Sequence, residues 1–187
     1  MKKTLFRWQA ASFIFVSIAG TLLHFAYDWS GQSVLLAPFS GVNESTWEHM
    51  KLFFWPLFVF SFAESAALEP DYENFWCARL VGTLAGLFFI PALFYTYTGA
   101  WGMRIDWINI SIFYVSTAIA HLTSGHVLRR GSGRFCKPVL SLVILYLFAA
   151  AFIIFTFYTP EIPLFCDPVD GTYGILHIMV ENPPKIF

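Results

Sequence analysis

Charge is what this chain has least of. Only 12% of its 187 residues are Asp, Glu, Lys or Arg, about half the ~25% of an ordinary soluble domain. Too few charges remain to cover a soluble surface, so a water-soluble globular class is excluded first. A net charge of −1 lacks the basic excess that nucleic acid would need, so no nucleic-acid partner is expected. Cysteine is scarce too. Cys77, Cys136 and Cys166 form no CxxC, and an odd, scattered set reads as packing or free thiols rather than a disulfide frame or zinc knuckle. There is no HExxH, no GxSxG and no glycine-rich phosphate loop, so no motif names a chemistry by itself. No internal repeat and no long polar linker interrupts the chain, which predicts a single membrane domain over 1–187.

What replaces charge is grease: 57% hydrophobic residues, 20% of the chain aromatic. A bilayer crossing takes about 20 mostly apolar residues. Five such runs predict an all-α polytopic integral membrane protein, with spans at about 10–28, 46–68, 75–97, 107–128 and 139–158. The basic start "MKKTLFRW" imitates a signal peptide, but its apolar run continues through Leu22, Leu23, Phe25 and Tyr27. That is too long for a cleaved segment, so it reads as a retained first span. Pro56 and Pro91 fall inside spans and are expected to kink them. Lys2, Lys3 and Arg7 precede the first span, and Arg129, Arg130, Arg134 and Lys137 lie between the fourth and fifth. Positive charge stays on the cytoplasmic side, which predicts an N-in, C-out protein of the cell membrane. The segment 159–187, rich in Pro, Asp and Gly, is then an ordered extracytoplasmic tail, with "YGILHIMV" in it as a strand, interfacial turn or lid.

Ionisable groups inside spans are expensive, and each is a candidate for function. An outer set comprises His24, Asp28, Glu44, Glu48 and His49. His24 and Asp28 are four residues apart and share a helix face. The hairpin of the first two spans brings all five to one level. Histidines with carboxylates suit a divalent metal such as Zn, Mn or Fe, or a proton-transfer site in which a carboxylate orients an imidazole. "STWE" is also a capping box, in which Ser45 caps the amide of Glu48 and Glu48 reaches back to Ser45. Lys51 can simply pair with Glu48, and His24 with Asp28 can be a structural pair. Asp167 and Asp170 in the tail could complete the site. An inner set comprises Glu64, Arg79, Tyr114, Thr117 and His121. Glu64 lies sixteen residues beyond Glu48, about 24 Å along a helix, so it cannot join the outer group. Glu64 with Arg79 reads most simply as an ion pair. Tyr114, Thr117, His121 and Ser124 form one polar stripe, as helix glue or as a wet path. Asn43-Glu44-Ser45 and Asn109-Ile110-Ser111 match the glycosylation pattern, a weak signal.

The blocks "GTLLHFAYDWSG", "APFSGVNESTWEHMKLFFWP" and "FYTPEIPLFCDPVDGTYGI" resemble a family of small bacterial polytopic membrane proteins classed as a domain of unknown function. The resemblance implies a bacterial cytoplasmic membrane and a compact helical fold, assigns no catalytic residues, and leaves "ENPPKIF" outside the shared pattern. Three functions stay open. One is an outer-face site, metal-binding or hydrolytic toward a lipid-like substrate admitted past the apolar loop "GQSVLLAPFSG". The second is a structural or regulatory membrane subunit without chemistry. The third is a small proton- or ion-coupled transporter, which with so few spans would need to form an oligomer.

Overall fold

A computed structural model describes residues 2–131 and 137–175. Five helices follow one another: α1 (Lys2–Trp29), α2 (Thr46–Leu68), α3 (Phe75–Trp101), α4 (Asp106–Arg130) and α5 (Pro138–Phe157). Among the described residues no strand forms beyond a single bridge between Cys166 and Tyr173. α1, α2, α3 and α5 are long and apolar enough to cross a membrane. α4 has the length, at 25 residues, but not the composition. Asn109, Ser111, Ser116, Thr117, His121, Thr123, Ser124 and His126 dilute it. Four apolar helices therefore stand where five were expected, because the polar stripe of α4 costs it hydropathy.

α2 is the most buried of the apolar helices and touches all four others. The closest pairing is α3 with α4. A Cβ at Gly82 would lie 2.6 Å from the Ala120 carbonyl oxygen, so glycine there lets two backbones approach as membrane helices do. Gly20 acts likewise where α1 crosses α2, its Cβ position lying 2.7 Å from the Leu52 oxygen. Outward faces carry apolar side chains such as Phe6 and Ile18 of α1, Phe88 of α3 and Leu147 of α5. Only a hydrocarbon solvent makes that arrangement favourable. Several hydroxyls in the helices are satisfied locally: Thr21, Ser61, Thr117 and Thr156 each donate to a carbonyl one turn back.

The segment after α5 packs back onto the start of α2. Trp47 N–H donates to the Leu164 carbonyl at 3.0 Å, and the Trp47 ring sits 4.5 Å from Phe152 and 4.6 Å from Phe165. This segment is described to Ile175; most of "YGILHIMV" and the terminus after it, together with Arg134 and Cys136, lie outside the described residues. Cys166 is a free thiol, whereas Cys77 is disulfide-bonded, which corrects the expectation of free thiols there.

Candidate functional site

The end of α1, the start of α2, the end of α3 and the start of α4 meet around a cavity of about 550 Å³, within the usual size of a small-molecule site. Its polar lining includes His24, Glu44, His49, Arg104, Asp106 and Asn109, and its apolar lining includes Phe25, Phe94, Ile110 and Phe113. Helix initiation explains how the second helix contributes. Ser45 is the N-cap of α2, in extended backbone, and its hydroxyl accepts from Glu48 N–H at 3.4 Å. Glu44, just before this cap, and His49, in the first turn after it, both line the cavity.

Glu44 lies between two imidazoles. Its Oε1 is 3.6 Å from His24 Nε2, and its Oε2 is 3.6 Å from His49 Nε2. The two rings are 5.5 Å apart. His24 and His49 are each about three-quarters covered, while half of Glu44 remains open. The tautomer of His49 follows from its other nitrogen, 2.9 Å from the Ser45 carbonyl oxygen. A carbonyl only accepts, so Nδ1 carries a proton. Nε2 is thereby left facing the Glu44 carboxylate, available to exchange a proton with it.

Glu48 takes no part in this set. It is buried and held 2.5 Å from Lys51 Nζ, and it accepts from Val42 N–H at 2.9 Å. Half of the expected capping box therefore forms. Ser45 caps Glu48, but Glu48 turns to Lys51 and Val42, and Ser45 N–H is satisfied by Asn43 at 3.0 Å instead. Lys51, fully buried, also donates to the Ala37 carbonyl and to Thr156 of α5, pinning the α1–α2 loop to α5. Asp28 is exposed, acting on His24 only through space. Asp167 is spent on structure: one oxygen accepts from Glu44 N–H at 2.8 Å and the other from Val169 N–H at 2.6 Å. It thus fixes the backbone that carries Glu44. Asp170 accepts from the amide and hydroxyl of Thr172, and these bonds hold its carboxyl below the usual carboxylate range.

The inner residues form a second, sealed group. Arg79 pairs with Glu64, both without solvent exposure, and Gln9 donates to the other Glu64 oxygen at 3.2 Å. His121 Nδ1 donates to the Thr117 carbonyl, so its Nε2 accepts from Ser12 at 2.9 Å. Tyr114 departs from this group: it reaches Thr21 of α1 at 3.1 Å on the exposed side, at the wall of the cavity.

Arg104 and Asn109 of the opposite wall went unread as site residues in the sequence. The missed signal is Arg104 itself, a lone arginine in a short connection. Among the described residues it joins no ion pair. No three His, Cys, Asp or Glu among the described residues are grouped as a metal ion would need.

A helical bundle with four membrane-capable helices and a cavity of mixed polar and apolar lining at one end defines a multi-pass membrane protein. Residues 1–175 match the model of a family of unknown function (DUF6512), and the chain belongs to that family. Neither the curated proteins nor the solved structures yield a match.

Proposed function

We propose that the chain is a five-span protein of the cell membrane, N-in and C-out, that uses His24, Glu44 and His49 for acid/base hydrolysis of a membrane-borne ester at its extracytoplasmic face. The observation that carries this reading is the Glu44 carboxylate set between two imidazoles on the wall of a half-apolar cavity. The basic residues flanking the other ends of α1 and α4 support the orientation. His49 Nε2 takes a proton from water, and the hydroxide oxygen bonds to the carbonyl or phosphoryl centre. The ester bond to oxygen then breaks, and the imidazole returns its proton to the departing alcohol. Glu44 balances the imidazolium between the two steps.

The test is product release from lipid extracts by the protein in nanodiscs, followed by mass spectrometry. His49→Ala is expected to lower turnover about 100-fold or more, with Glu44→Gln close behind. Turnover untouched by both changes would sink the reading. Elemental mass spectrometry on the same samples separates the metal form of the idea: near-stoichiometric Zn, Mn or Fe, lost in His24→Ala, would replace the acid/base step by metal-activated water. The purely structural reading expects lost stability from these variants. The inner group fits that role better, since Glu64 and Arg79 are sealed in an ion pair and His121 is bonded to Thr117 and Ser12.

A further inference from the structure

We infer that the cavity seats the phosphodiester headgroup of a bilayer lipid, with Arg104 as the anion anchor and the acyl chains leaving between α1 and α4. This deepens the preceding reading and rests on it for the cavity's place at the membrane face. Charge singles out Arg104. Lys51 and Arg79 are buried in ion pairs and Arg129 donates to the Gly125 carbonyl, while Arg104 lines the cavity, exposed and unpaired. A guanidinium presents parallel donors that match two oxygens of a phosphate. In the proposed orientation it also stands against the rule that keeps basic residues on the cytoplasmic side, so its position calls for an anion.

The walls say what is attached to that anion. Phe25 is 45% exposed and Ile110 58% exposed, and both line the cavity and face outward from the bundle. The bond between Thr21 and Tyr114 marks the seam between α1 and α4 on that side. Beside it the loop before α2 presents Val34, Leu35 and Phe39 outward, Leu35 at 83% exposure, a surface suited to lie in the bilayer interface. A volume of about 550 Å³ holds a headgroup and the first carbons rather than whole chains. Asp106, on the same wall as Arg104, repels a second negative charge and accepts from a hydroxyl. The occupant is therefore a singly charged phosphodiester with a hydroxylated headgroup.

The test is native mass spectrometry of the full chain in detergent with three probes: dioleoyl phosphatidylglycerol, dioleoylglycerol and glycerol 3-phosphate. The wild type is expected to retain the phospholipid about tenfold more than the diacylglycerol, and to retain glycerol 3-phosphate hardly at all. Arg104→Gln removes the preference, and Arg104→Lys keeps part of it, the two unfolding at the wild-type temperature because the side chain is exposed in a loop. A preference that survives Arg104→Gln overturns the anchor, and glycerol 3-phosphate bound as well as the lipid overturns the bilayer lipid as the occupant. The two ideas separate cleanly. Arg104-dependent retention without turnover of any lipid supports the anchor and removes only the hydrolytic step.

Discussion

The outer and inner polar groups use nearly the same residue types and behave in opposite ways. Each has a histidine, a glutamate and an arginine. In the inner group Glu64 and Arg79 are wholly buried and joined, Gln9 takes the spare carboxylate oxygen, and His121 has a partner on each nitrogen. In the outer group Glu44 is half open, the imidazoles stand 3.6 Å from it, and Arg104 is unpaired at a cavity wall. Residue type does not separate structure from chemistry here. Access differs: the inner pair is sealed, whereas the outer carboxylate is half open.

The sharpest way to break that contrast is to remove one charge from each group. Arg79→Ala leaves Glu64 buried without its partner, and the expected loss is about 3–5 kcal/mol, read as a collapse of the unfolding midpoint in detergent; the double change Glu64→Met, Arg79→Leu should recover much of it. Lys51→Met strands Glu48 in the same way, with about 3 kcal/mol expected, tempered by the Val42 amide that still holds it. Gly20→Ala places a methyl against Phe113 and the Leu52 carbonyl, and overpacking of that kind costs about 1–3 kcal/mol; thermal unfolding reads it directly. His24→Ala and His49→Ala should move the midpoint far less, by about 1 kcal/mol or under, since partly exposed ion pairs contribute little. An outer variant as unstable as Arg79→Ala would erase the distinction.

The smallest expected effect lies in the tail. The Asp170 carboxyl is held below its ordinary range by Thr172. Its folded value is the lower one, so its contribution is complete above the unfolded carboxylate value of about 3.9 and fades as pH falls through the folded value. Unfolding midpoints of wild type and Asp170→Asn, measured from pH 6 down to pH 3, should converge at the acid end. A gap constant across that range would show that Asp170 contributes no titration-linked stability.

Much of the candidate site was legible in advance for a simple reason. His24 and the Glu44–His49 stretch flank one hairpin, so covalent connectivity alone brings them to one level. Glu48 shows where that reasoning stops. Its sequence context fits both a capping box and a pair with Lys51, and only burial of the lysine under Ala37 and Thr156 decides between them. Asp167 is similar: 123 residues separate it from Glu44, and no local pattern says that one of its oxygens serves a backbone amide. Arg104 was passed over because an exposed loop arginine is ordinary until the opposite wall of a cavity is known.

Composition by itself determined the membrane class, and apolar runs of about 20 residues determined the helices, because a run of that length satisfies its backbone in a bilayer by hydrogen bonds within itself. The inner ion pair was also within its reach, since two opposite charges in apolar spans have little choice but each other. Tertiary structure alone decided that Glu44, rather than Asp28 or Glu48, sits between the imidazoles, and that Arg104 lines the same cavity. Those choices depend on how four helix ends converge and on which side chains the packing leaves unpaired, and neither quantity is local along the chain.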